Sequence, residues 1–158
     1  MKKRKFYFRT LVGAGLIAAA AAFPAFADNW IHQENGWVCK TADGYMQTGW
    51  YQDKNNGGKW YYLWPEAGNR LGCMQTGWLQ KDGKWYFFDT RSGSSGAMLT
   101  GWQWIDGKCY YLDPAAGGAM AISNTLSDGS RVGSDGAWVD GSGNTVNSNT
   151  NTNTSQNQ

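Results

Sequence analysis

The sequence predicts an all-β protein made of stacked β-hairpins. Three observations carry that expectation. The composition is extreme: ten Trp, eight Tyr and 22 Gly in 158 residues, with too few aliphatic residues for a helical protein or an ordinary α/β enzyme core. The stretch Thr76-Gly77-Trp78-Leu79-Gln80-Lys81-Asp82-Gly83-Lys84-Trp85-Tyr86-Phe87-Phe88-Asp89 has the pattern strand, tight turn, strand. Asp-Gly supplies the positive φ that two-residue hairpin turns need, and the flanking aromatics suit a pleated, half-buried surface. Finally, Thr-Gly-Trp recurs at 48–50, 76–78 and 100–102, each time two residues after Met46, Met74 or Met98. An isolated hairpin is marginally stable in water, so a chain that repeats one can supply its own neighbours.

The N-terminus is expected to be a secretory signal peptide over residues 1–27. Lys2, Lys3, Arg4, Lys5 and Arg9 precede an apolar run from Leu11 to Phe23, and Ala25-Phe26-Ala27 offers small residues for cleavage before Asp28. The apolar run is short for a span of ~20 residues, which argues against an uncleaved anchor. Nothing after it has the pattern of a membrane span or a sorting motif.

The repeats occupy residues 28–140. Trp30 and Trp37 are seven apart and mark a short first hairpin. Trp50 and Trp60 are ten apart, the extra three residues fitting an enlarged Asn55-Asn56-Gly57-Gly58 turn. Trp78 and Trp85 return to seven. Seven beyond Trp102 stands Cys109, where the pattern predicts Trp. A Gly-rich return to Met follows each hairpin, giving a period of 22 to 28 residues with insertions confined to turns. Self-similarity of this size signals a solenoid. Ser127 to Val139 has two Asp-Gly turn signals and forms a shortened capping hairpin. Residues 141–158 are Asn, Thr, Ser, Gln and Gly with almost nothing apolar, so a disordered tail is expected.

Charge and chemistry exclude several classes. Without the five basic residues of the leader, nine basic residues stand against 12 acids, which leaves no footprint for nucleic acid. The single histidine, His32, has no Ser-His-Asp or zinc-type company, so no catalytic residues, metal site or cofactor are expected. Most carboxylates fall in Asp-Gly turns, where backbone geometry explains them. Cys39, Cys73 and Cys109 match no zinc or redox spacing. Their odd number in an exported chain leaves a free thiol or an intermolecular bridge open, and buried reduced thiols are the preferred reading.

The motifs Met46-Gln47-Thr48-Gly49-Trp50, Lys59-Trp60-Tyr61-Tyr62-Leu63, Met74-Gln75-Thr76-Gly77-Trp78 and Lys84-Trp85-Tyr86-Phe87-Phe88, with the closing Asp128 to Val139, resemble the choline-binding, or cell-wall-binding, repeats of Gram-positive surface proteins and phage lysins. The resemblance covers about residues 29–139. It implies a left-handed superhelix of hairpins, ligand pockets between consecutive hairpins, and the choline head group of teichoic acids as ligand. By position it implies three aromatic cages: Trp30 and Trp37 with Tyr62, Trp50 and Trp60 with Phe87, and Trp78 and Trp85 with Tyr111. A fourth, built on Trp102 with Trp138 as third ring, is expected to be weak or lost because of Cys109.

Elementary chemistry agrees with such a ligand. A quaternary ammonium has no N–H to donate, so ring faces select it, each worth ~0.5–2 kcal/mol. Several weak sites on one array bind a repeating polymer tightly. The expected protein is a secreted, non-enzymatic, wall-associated binder of choline-bearing polymers. Two alternatives stay open: a carbohydrate-binding module using the rings as sugar platforms, and the targeting part of an enzyme whose catalytic part lies elsewhere.

Overall fold

The computed structural model describes residues 30–41, 43–91 and 96–148. The expected leader and residues 149–158 of the expected tail lie outside them. Four antiparallel hairpins follow one another: β1 (Trp30–Gln33) with β2 (Gly36–Cys39), β3 (Gly49–Asp53) with β4 (Lys59–Leu63), β5 (Gly77–Lys81) with β6 (Lys84–Phe88), and β7 (Gly101–Ile105) with β8 (Lys108–Asp113). β9 (Ala119–Met120) adds a third strand to β8. Three short strands, β10 (Asn124–Thr125), β11 (Arg131–Val132) and β12 (Trp138–Val139), close the array. The hairpins form separate two- and three-stranded sheets.

Turn chemistry sets the hairpins. Asp82 and Gly83 have φ of 52° and 75°, and Asp106 and Gly107 have 48° and 81°, the double positive φ of a type I′ turn. The enlarged second turn is a 3-10 turn, Lys54–Asn56. The buried Asp53 carboxylate caps it by accepting from the Asn55 and Asn56 backbone N–H groups, both at 3.1 Å.

Register then decides which rings share a face. Trp78 lies opposite Phe87 and Gln80 opposite Trp85, while Leu79 lies opposite Tyr86. One face of this hairpin therefore carries both tryptophans and Phe87; the other carries Leu79, Tyr86 and Phe88. The hairpins pack front to back. Tyr62, on the tryptophan face of β3–β4, is buried with Leu79 and Phe88 of the next hairpin. Phe87, on the tryptophan face of β5–β6, is buried with Ile105 and Leu112 of β7–β8. The core is thus a series of small apolar layers between hairpins.

The Gly-rich returns stitch the layers together. Met74, Met98 and Met120 pair with Leu63, Phe88 and Leu112 of their own hairpins. The backbone N–H of Met74 also donates to the Trp37 carbonyl, and that of Met98 to the Trp60 carbonyl, both at 2.7 Å. Each methionine lies under a glycine of the following return. A Cβ at Gly118 would stand 2.6 Å from Met98 Cε, and one at Gly136 2.5 Å from Met120 Cε. These returns need glycine for close approach as well as for positive φ.

Order extends beyond the expected start of the tail. Asp140 N–H donates to the Asn144 carbonyl at 2.9 Å, and the Asp140 carboxylate accepts from Ser142 and Asn144 N–H at 2.9 Å each. Thr145 pairs with Val139, and Asn147 with Lys108. Composition missed this because apolar burial does not create the order over 141–148. A carboxylate-capped turn and an available strand edge do so instead.

Candidate functional site: aromatic cavities between hairpins

Trp50 and Trp60 occupy one face of β3–β4, on diagonal positions of the register. With Tyr86 and Met98 they line a cavity of about 520 Å3, closed at one side by Gly117 and Gly118. The Trp50 and Tyr86 centroids are 4.8 Å apart at 69°. Trp50 and Trp60 keep 37% and 40% of their surface exposed, so their ring faces are accessible, not used up as core. One hairpin further, Trp78, Trp85, Tyr110 and Met120 line an equivalent cavity of about 390 Å3. There Trp78 stands 6.2 Å from Trp85 at 89° and 5.0 Å from Tyr110 at 78°.

The structure brings Trp50 and Trp60 to one cavity and Trp78 and Trp85 to another, and the third ring lining each is not the one expected from the sequence. Tyr86 takes the place expected for Phe87, and Tyr110 the place expected for Tyr111. Phe87 lies 5.0 Å from Trp78 and in the next apolar layer, and Tyr111 lies 5.2 Å from Trp102. The same holds at the first hairpin. Tyr61 lies 4.9 Å from Trp30, whereas Tyr62 lies 5.4 Å from Trp50. Carrying face parity from one hairpin to the next fails because the hairpins stack front to back. The residue that reaches back to the previous tryptophans must come from the opposite face, one position earlier.

The first hairpin differs in detail. Trp30 Nε1 donates to the buried Asp53 carboxylate at 3.0 Å, which fixes the indole. Trp37 packs edge-on to His32 at 5.0 Å.

At the fourth hairpin the structure explains Cys109. The bridge between Tyr110 and Ala137 matches that between Val38 and Cys73. The pairing of Val132 with Trp138 matches that of Leu63 with Met74. Trp138 therefore stands in the methionine slot, not in the slot of the third ring as expected. Its ring is 6.0 Å from Trp102. A large ring now occupies the position of a flexible thioether, and a small buried thiol, Cys109 at 5% exposure, occupies that of a tryptophan. Burial pushes the Cys109 thiol up from its ordinary value, which keeps it protonated and inert.

Charge differs between the two clear cavities. Asp135 lines the one bounded by Trp78 and Trp85. Its carboxyl is held below the usual range, first by the hydrogen bond from Lys108 Nζ at 3.0 Å and then by the Ala137 N–H. A carboxylate thus stands beside two indole faces and a phenol. Burial raises the Tyr86 and Tyr110 phenols above their ordinary value, so both rings stay neutral and keep their quadrupoles.

Sequence reasoning missed Tyr86, Tyr110, Met98, Met120 and Asp135. The methionines carried a usable signal, their fixed place before Thr-Gly-Trp or at the end of a return. Asp135 carried none, because it has the form of a turn residue. Among the described residues, no group of three or more His, Cys, Asp or Glu is placed to hold a metal ion, and no helix is long and apolar enough to cross a membrane.

Comparisons with known proteins point the same way. The family profile described as "Putative cell wall binding repeat" matches residues 76–91 and 100–115, the third and fourth hairpins. The structure of CbpF in complex with ipratropium is 35% identical, covers 72% of this chain and 32% of its own, and superposes with a TM-score of 0.59. Choline binding protein F from Streptococcus pneumoniae, in the presence of a peptidoglycan analogue, gives 35%, 72%, 33% and 0.58. CbpJ from Streptococcus pneumoniae gives 34%, 71%, 34% and 0.57. The chain spans about a third of the length of these proteins. The search of curated proteins gives no match. With its repeats, its aromatic cavities and these neighbours in agreement, the chain belongs to the choline-binding, or cell-wall-binding, repeat family.

Proposed function

We propose that this protein is exported and attaches to choline-bearing polymers of the cell wall, with the aromatic cavities as choline cages. One observation carries the reading. Two cavities, between β3–β4 and β5–β6 and between β5–β6 and β7–β8, are built alike from two indoles, a phenol and a methionine. A trimethylammonium fits such a site because it offers no hydrogen bond and is attracted by ring faces within ~6 Å. The working cages are Trp50, Trp60 and Tyr86, and Trp78, Trp85 and Tyr110; Trp30, Trp37 and Tyr61 make a third.

The hairpins stack as a β-solenoid, a reading that their front-to-back packing at a constant register supports, and its left hand is what the family resemblance implies. The leader over residues 1–27 directs secretion, and retention at the surface of a Gram-positive cell comes from binding teichoic-acid choline. The contribution of this chain is attachment, not catalysis. The protein is expected to be retained on an immobilised choline or tertiary-amine matrix and released by free choline. Retention that free choline leaves unchanged would reject the reading.

A further inference from the structure

The two cages differ at one place in the return that closes them. In each, the methionine lies under a glycine of that return, Met98 under Gly118 and Met120 under Gly136. The residue before that glycine also lines the cavity: Gly117 in one, Asp135 in the other. A position without a side chain at the Trp50–Trp60 cage thus carries a carboxylate at the Trp78–Trp85 cage. That cage is also the smaller, at about 390 Å3 against about 520 Å3.

The carboxylate is held on the side of the rings. Lys108 and Tyr110 share one face of β8, and this face brings Tyr110 to 5.0 Å from Trp78. From it Lys108 Nζ donates to Asp135 Oδ2 at 3.0 Å, while the Ala137 N–H donates to Oδ1 at 3.0 Å. An ionised carboxylate has about four lone-pair sites, so each oxygen can accept once more, and the Asp135 side chain stays 49% exposed. Choline uses such a group only through its charge, because its nitrogen has no N–H. A protonated tertiary amine exchanges one methyl contact for a charge-assisted hydrogen bond. Among the described residues lining the Trp50–Trp60 cage, the polar side chains are the Tyr86 phenol and the Thr100 hydroxyl, and none is charged. There the same N–H meets at best a neutral acceptor, which is a weaker partner.

We propose that Asp135 sets the ligand class of the Trp78–Trp85 cage, which takes ammonium groups bearing an N–H as well as choline, whereas the Trp50–Trp60 cage is selective for the quaternary group. The inference rests on the reading of both cavities as choline cages.

Choline and N,N-dimethylethanolamine, titrated separately into 15N-labelled protein at neutral pH, test it through the indole Nε1–H resonances of Trp85 and Trp60, one from each cage. The affinity of the amine relative to choline is expected to be about fivefold higher at Trp85 than at Trp60. Charge attraction acts on both ligands alike, so this ratio moves only with the hydrogen bond. Asp135→Asn keeps an acceptor for the Ala137 N–H and removes the charge. It is expected to bring the two ratios together and to leave the Trp60 response unchanged, which also shows that the variant is folded. Lys108→Met frees Oδ2 and is expected to raise the ratio at Trp85. Equal ratios at the two cages of the unaltered protein, or a ratio at Trp85 that Asp135→Asn leaves unchanged or Lys108→Met lowers, would overturn the proposal while the choline reading stands. Saturation of neither resonance by choline would overturn both.

Discussion

Tyr86 and Phe87 are adjacent in sequence and serve different hairpin interfaces. Tyr86 closes the cavity of Trp50 and Trp60, whereas Phe87 is buried under Trp78. Tyr86→Ala is expected to remove one ring from that cage, worth ~0.5–2 kcal/mol of choline affinity, with a smaller effect on folding. Phe87→Ala empties a buried position and is expected to cost about 3–5 kcal/mol of stability. Titration and melting of the two variants separate these effects. Cys109→Trp pushes a second large ring into the layer that Trp138 already fills. It is expected to lower stability by about 1–3 kcal/mol through overpacking and to add no choline site in calorimetry. Asp135 is expected to give the proposed cage of Trp78 and Trp85 a pH dependence. Its pKa is lowered in the folded protein, first by Lys108, so its charge and its contribution to stability are present above the ordinary carboxylate value. Both are lost as pH falls through the lower folded value. Choline affinity at the Trp78–Trp85 cage is therefore expected to fall in acid while that of the Trp50–Trp60 cage holds. Site-resolved NMR titration across this range checks the difference.

At the scale of the element, each hairpin is specified locally and its place in the stack is specified by the return. Asp82-Gly83 and Asp106-Gly107 made the turns legible, because both residues of each turn take positive φ. The spacing of Trp78 from Trp85 made the shared face legible, because cross-strand register follows from a two-residue turn. The neighbour that each face meets was not legible. That depends on how one hairpin sits on the next, and the third rings were misplaced by one position for this reason. The slot of Trp138 was hidden likewise, since only its pairing with Val132 shows that it replaces a methionine. Asp140 to Asn147 escaped notice because hydrogen bonds, and not apolar residues, order that segment. The glycines of the returns test the stacking. Gly118 and Gly117 both have positive φ, at 86° and 69°, but only a Cβ at Gly118 meets Met98. Both alanine variants suffer backbone strain of more than ~1 kcal/mol. Gly118→Ala is expected to melt lower than Gly117→Ala and to weaken the cage that Met98 lines, and thermal melts with choline titrations check both.

Across the whole molecule, stability and binding share the same rings. Trp50, Trp60, Trp78 and Trp85 keep surface open while their hairpins pack into apolar layers, so a further hairpin that keeps both tryptophans is expected to extend the core and add a cage, whereas the fourth, with Cys109, is not. On the proposed function, individually weak cages would act together on a polymer that presents many cations, by effective concentration and without any single strong contact. On the proposed function, the cavities select positive charge by ring faces and do not merely accept a greasy group of the right size. Calorimetric titration of the protein with choline, compared with its uncharged carbon isostere 3,3-dimethyl-1-butanol, tests it most directly. Saturable choline binding is expected at two or more sites, with loss of one site in Trp85→Ala and binding of the isostere at least roughly tenfold weaker, the loss of two or three cation–π contacts. Equal binding of choline and the isostere, or no saturable binding of choline, would contradict it.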